Sequence, residues 1–260
     1  MKIRSLVAAA NIGFTFLLVG GIAAEAAEIK VLSAAAFDQI MKDLGPKFER
    51  TTGHKLAITF GNLGAIVKRV QGGENADVVI IPRQGINRFV KDGKAVASNV
   101  TVLARAGMGV FVHKGAPKPD ISSPEALKRT LLAVKSITYA NPAETAAGIQ
   151  VAKVLDRLGI GEEMKSKTVF PKTGSPGVLV ANGEAEIGVH HLVILQQDIS
   201  VAGIEIVGPL PGDLQVFDVF AAAIMAGAKD AAASKALVDF LRTPEAAAVI
   251  KAKGMEPATP

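Results

Sequence analysis

The sequence predicts an α/β fold with mostly parallel sheets, and three observations carry that prediction. Strand-like and helix-like segments alternate along the chain, as they do where strands are joined by crossover helices. The run Ala76-Asp77-Val78-Val79-Ile80-Ile81 is almost wholly apolar, the pattern of a strand buried on both faces of a parallel sheet. Small-residue turns connect several of these strands to the helices that follow them: Ser33–Phe37, Gly61–Ala65, Thr145–Gly148 and Thr173–Gly177.

In chain order, Ile29–Leu32 reads as a short strand and Ser33–Ala36 as a turn. Phe37, Ile40, Met41, Leu44 and Phe48 then recur at helical spacing, up to Thr51-Thr52-Gly53. His54–Phe60 is strand-like, Gly61–Gly64 a turn, and Ala65–Gln71 a helix with Ile66 and Val70 inward. After the apolar strand, Gly85–Asp92 is helical. Met108–Val112 is a strand, followed by a Gly/Pro-rich loop. Ser123-Pro124 has the form of a helix cap with proline in the first turn. Ser136–Tyr139 is a strand, and Ala147–Leu158 and Ser175–Ala181 are helices. Ala185–Val189, Gly203–Val207 and Val216–Met225 are strands, and the helices Ala231–Leu241 and Pro244–Lys253 close the chain.

Composition removes several functional classes. The 260 residues contain no cysteine, which excludes a disulfide framework, a thiol nucleophile and a cysteine metal site. The His, Asp and Glu residues form no cluster at metal spacing, and no cofactor motif is present, so neither a metal nor a cofactor is expected. Basic residues are scattered, Tyr139 is the single tyrosine and tryptophan is absent, which speaks against nucleic acid. At the N-terminus, Lys2 and Arg4 precede an apolar run from Leu6 to Ala24, and Ala24-Glu25-Ala26 has the small residues a signal peptidase accepts. Residues 1–26 are therefore expected to be a cleaved signal peptide, leaving a soluble periplasmic protein that begins near Ala27. The cut lowers the formal net charge of +5 by one, a mild positive bias that suits a small anion. The remaining length allows one large domain or two lobes of similar size.

Several segments in order resemble the type II periplasmic solute-binding proteins, and within them the molybdate-binding proteins of ABC importers. They are Val31–Ala36, Ala76–Ile80, Asn141–Gly148, Gly183–Gly188, and the ending from Phe240–Ala246 through Gly254–Pro257. The resemblance implies two lobes, residues 27–105 with 217–260 and residues 106–216, joined by crossing segments around a buried ligand. It implies a small anionic ligand, a membrane ABC permease as partner and a monomeric state. The chain also departs from the molybdate pattern. Ala36 and Gly64 stand where that pattern places serines, and His191 stands where it places a tyrosine. Lost hydroxyl donors favour an organic carboxylate over a bare oxyanion. One branch of the family resembles periplasmic aconitate isomerases.

The candidate ligand-binding residues are Ala36, Asn62, Gly64, Arg83, Ala147, Thr173, Ser175 and His191. Asn62 combines a turn residue with an amide donor, and Arg83 follows the buried strand with a guanidinium suited to a carboxylate. Thr173 and Ser175 sit at a helix start, where capping is the competing role. Adjacent strand residues point to opposite faces, so only one of His190 and His191 is expected to reach the ligand, and His191 is the one chosen. Were the chain an enzyme, His191 would be the proton-transfer group of an isomerase that shifts a double bond. Lys68 and Arg69 are expected in solvent and Tyr139 packed at a strand end.

Overall fold

A computed structural model of the chain describes residues 26–172, 175–196 and 203–258. Of the expected signal peptide only Ala26 falls among them, and the candidate Thr173 lies outside them.

The first third builds a parallel sheet. Strand β1 (Glu28–Ala34) pairs in parallel with β2 (Lys55–Gly61) and with β3 (Val78–Pro82). Helix α1 (Asp38–Thr52) buries Ile40, Met41, Leu44 and Phe48, the residues that recur at helical spacing. It stops at Gly53, whose φ of 79° a side chain would disfavour. Helix α2 (Leu63–Gln71) is capped by Asn62, and α3 (Arg83–Lys91) follows β3 directly. All five residues of β3 are buried, as its apolar run requires.

Strand β4 (Ala95–His113) is 19 residues long and starts well before the Met108–Val112 segment read from the sequence. Its early half is largely exposed and carries Asn99 and Arg105, so no apolar pattern announces it. Helix α4 (Pro124–Ala133) starts at the expected cap, with Ser123 Oγ accepting the Ala126 N–H at 3.1 Å. Strand β5 (Ile137–Thr138), helix α5 (Ala146–Arg157), the short α6 (Gly161–Lys165) and β6 (Thr168–Val169) come next. Then follow α7 (Pro176–Ala181), β7 (Ile187–His191), a helical segment at 192–196, β8 (Ile204–Pro209) and β9 (Phe217–Met225). Helices α8 (Ala231–Phe240) and α9 (Pro244–Ala252) and the short β10 (Glu256–Pro257) end the chain. The segments α6, β6 and 192–196 are too short to show a period in the sequence.

The strands run in the order β2-β1-β3-β9-β4-β7-β5-β6, with β8 and β10 also paired to β4. The ladders of β1 with β2 and β3, and of β5 with β6 and β7, are parallel. Strands β4 and β9 run through the middle and make antiparallel ladders on both sides. The apolar core divides accordingly. One cluster contains Val31, Phe37, Phe48, Ile80, Phe89 and Phe220. A second contains Met108, Leu127, Ile137, Val151, Leu155 and Ile187, and a third, smaller one surrounds Phe111. Val193 and Ile194 pack on the first cluster while Leu192 and Leu195 pack on the third, so segment 192–196 joins these two cores.

Asp77 is the buried exception within the apolar run. Its carboxylate accepts the backbone N–H of Lys30 and of Lys229, each at 2.7 Å, which ties β1 and the approach to α8 to β3. Two such bonds offset the cost of burying an ionised group.

Candidate functional site

A cleft of about 600 Å³ opens where the carboxyl ends of the parallel strands from both cores face each other. This is the place where open α/β sheets hold ligands, because strand-to-helix turns and helix N-termini gather there. From the first core come Ala34, Ala35 and Ala36 after β1, Gly61, Asn62 and Leu63 after β2, and Pro82 at the end of β3. From the second come Ala140, Asn141 and residues 144–147 before and in α5, Lys172 and Ser175 before α7, and His190 and His191 at the end of β7. Ile194 and Phe220 complete the wall.

Five of the eight residues singled out in the sequence therefore line one cleft: Ala36, Asn62, Ala147, Ser175 and His191. Gly64 and Arg83 do not. Gly64 is the second residue of α2, where its N–H donates to the Glu144 carbonyl at 3.3 Å, a backbone contact between the two sides of the cleft mouth. Arg83 opens α3 without an intervening loop and its side chain is exposed, while Pro82 before it faces the cleft. A long charged side chain at an exposed helix start stays in water, and the guanidinium expected over the ligand is not there.

The hydroxyls of the cleft are occupied with capping. Thr145 Oγ1 accepts the Gly148 N–H at 3.0 Å and donates to the Asn141 carbonyl at 3.1 Å. Ser175 Oγ accepts the Gly177 N–H at 3.2 Å. Asn62 Oδ1 accepts the Ala65 N–H at 2.8 Å, and the residue lines the cleft with its Nδ2 amide not engaged in that cap. The loop over α5 needs Gly148, because a Cβ there would lie 2.2 Å from the Ala140 carbonyl oxygen.

Both histidines line the cleft, which corrects the expectation that the strand pleat would send one away. Both residues are still paired in the ladder of β7 with β4, but the His190 ring folds back toward the His191 backbone. Their centroids are 5.5 Å apart, edge to face. His190 Nδ1 accepts the His191 N–H at 2.7 Å, which fixes its neutral form as the Nε2–H tautomer. Burial, reinforced by the neighbouring His191, pushes its pKa down to about 3.

His191 is set in a buried polar chain that was not legible in the sequence. Its Nε2 lies 2.9 Å from Asp218 Oδ2, and both side chains are almost fully buried. The other oxygen of Asp218 accepts from Gln150 Nε2 at 3.1 Å. The ring of Phe220 packs against His191 at 6.0 Å. Asp218 is a lone acid in the otherwise apolar stretch Phe217–Met225, and that isolation was the available signal of a buried partner. Tyr139 is packed at the end of β5, edge-on to Phe170, and Lys68 is exposed as expected. Arg69 instead pairs with Glu74. Among the described residues no group of three or more His, Asp or Glu could hold a metal ion.

The sequence from residue 29 to 256 matches the family model for bacterial extracellular solute-binding proteins. The chain belongs to that family. It is 34% identical over 237 residues to the molybdate-binding protein ModA of Azotobacter vinelandii, covering 89% of this chain and 91% of that protein. It is 29% identical over 235 residues to an aconitate isomerase of a Pseudomonas species, covering 88% and 87%. The solved periplasmic molybdate-binding protein of Azotobacter vinelandii superposes with a TM-score of 0.70 at 22% identity, over 89% of this chain and 99% of that one. The fold is thus the two-lobed α/β fold of periplasmic binding proteins. No described helix is long and apolar enough to cross a membrane.

Proposed function

We propose that the chain is a periplasmic receptor that closes two lobes, residues 27–105 with 217–260 and residues 106–216, on a small organic carboxylate and presents it to an ABC importer. The observation that carries this reading is the cleft itself, where helix starts from two separate apolar cores converge with two histidines on one space. The N-termini of α2 and α5 offer N–H groups and positive dipole to an anion. Asn62 Nδ2 adds a side-chain donor. A ligand bridging both sides favours the closed arrangement, with β4, β9 and segment 192–196 as the connections that bend.

Two features favour a carboxylate over a tetrahedral oxyanion. A cleft of about 600 Å³ is roomy for five atoms, and much of its wall is carbon from Ala34, Ala36, Leu63, Pro82, Ile194 and Phe220. Its hydroxyls are engaged as helix caps rather than arranged as a ring of donors. Apolar walls with a few placed polar groups suit a ligand with a carbon skeleton. A thermal-shift panel of molybdate, tungstate, sulfate, succinate, citrate and cis- and trans-aconitate tests the reading. Stabilisation by a di- or tricarboxylate is expected. Stabilisation by molybdate or tungstate alone would overturn it.

The pairing of His191 with Asp218 favours a second reading, an isomerase of an unsaturated tricarboxylate. There, neutral His191 would take a proton from one carbon through Nδ1, the double bond would shift, and the same proton would return at another carbon. Asp218 would hold the ring through Nε2. Proton NMR of cis-aconitate incubated with the protein separates the two readings: a receptor returns it unaltered.

A further inference from the structure

We infer that His191 and Asp218 make ligand capture proton-coupled: a carboxylate enters the cleft together with one proton, which His191 holds between the ligand and Asp218. This deepens the receptor reading and rests on it.

The pair lies under the cleft, and its geometry is unusual for a site that attracts anions. Asp218 is buried and no lysine or arginine bonds to it; among the described residues its partners are Gln150 Nε2 and His191 Nε2. An ionised Asp218 beside a neutral imidazole puts a poorly screened negative charge beneath an incoming anion, in surroundings where like charges repel strongly. A proton on His191 removes that conflict. Its Nε2 already lies 2.9 Å from Asp218 Oδ2. Its Nδ1 has no hydrogen bond among the described residues and borders the cleft, so the protonated ring would donate at both nitrogens, one to each carboxylate.

The other groups around His191 leave it as the proton's place. His190, on the same strand, is held neutral, with its pKa near 3 and its Nδ1 already accepting a bond. Gln150 on α5 and Phe220 on β9 carry no charge, and Ile194 on segment 192–196 is apolar. At the cleft rim Lys172 and Glu144, of opposite sign, are both exposed and screened by water. Binding that takes up a proton strengthens as pH falls and weakens as pH rises. A ring protonated at Nδ1 has no lone pair for a carbon-bound proton, so this arrangement opposes the isomerase reading.

The experiment is calorimetric titration of the intact mature protein with citrate and with trans-aconitate. It is run between pH 7 and 9, in buffers of different ionisation enthalpy. The slope of apparent enthalpy against buffer enthalpy gives the protons taken up. The expectation is close to one proton per ligand, with affinity falling about tenfold per pH unit where uptake is complete. In Asp218→Asn the buried charge is gone, so uptake drops to near zero and the pH profile flattens while binding persists. His191→Gln, which keeps a donor but cannot titrate, is the second variant and gives the same loss of uptake. Carboxylate binding by wild-type protein with no proton exchange would overturn this inference and leave the receptor reading intact. Failure of every carboxylate to bind would overturn both.

Discussion

Asn62 holds two roles at once, and substitutions can separate them. Its Oδ1 caps α2 through the Ala65 N–H at 2.8 Å, and the residue borders the cleft, where Nδ2 is the donor it can offer a ligand. Asn62→Ala removes both. Loss of the cap costs about 1 kcal/mol of stability, which for a chain of this size lowers Tm by roughly 2–4 °C. Loss of a donor to a carboxylate costs about 1.5–3 kcal/mol of binding, or roughly a tenfold to hundredfold rise in Kd. Asn62→Asp is the more telling change. Aspartate caps a helix as well as asparagine, so Tm should stay near that of the wild type. It has no donor and brings a negative charge to the anion site, so affinity should fall further than in Asn62→Ala. Paired melting curves and calorimetric titrations with citrate or trans-aconitate read both quantities. An Asn62→Asp protein that binds as tightly as the wild type would refute the placement of Nδ2 at the ligand and reduce Asn62 to a cap.

Other expectations follow from buried groups. Asp77→Ala leaves two backbone N–H groups without their acceptor, at about 1–3 kcal/mol each, so chemical denaturation should show a large loss of stability with binding retained in the folded fraction. Gly188→Ala would put a Cβ 2.1 Å from the Phe111 ring and should destabilise by at least the roughly 1–3 kcal/mol of an overpacked core, measured by urea titration. His190 gives a pH dependence: with its folded pKa held near 3, the unfolded chain binds more protons below about pH 6.5, so stability falls as pH drops from there toward 3. The slope from this one residue is at most about 1.4 kcal/mol per pH unit, and the wild-type curve should be steeper than that of His190→Gln over the same range. Arg83→Ala should leave ligand affinity unchanged, since the side chain lies in solvent outside the cleft.

The α/β fold was legible because its elements are periodic. The apolar run of β3 and the 3.6-residue recurrence in α1 both reflect surfaces that must be buried, and the structure buries them. The four small-residue turns were legible as helix starts, and elements from all four line one cleft. What the sequence concealed depends on tertiary pairing. The outer half of β4 is held by ladder hydrogen bonds to β9 and β10 rather than by an apolar face, so its residues carry no pattern. The pleat rule separated His190 from His191, but the His190 ring folds back onto the His191 N–H and both residues border the cleft. Asp218 is 27 residues from its partner, and only the neighbouring arrangement of β7, β4 and β9 brings the two together. Arg83 misled for a simpler reason: position after a buried strand does not fix direction, and a helix beginning at once turned the guanidinium to water.

The central claim is that an organic carboxylate sits between the two cores on His191 and the start of α2. A diffraction structure of the mature protein grown with trans-aconitate or citrate tests it most directly. The predicted result is ligand density in the cleft, with one carboxylate within hydrogen-bond distance of His191 Nδ1 and another group reaching Asn62 Nδ2. A saturated crystal with the ligand elsewhere, or with the cleft accepting only molybdate, would contradict it.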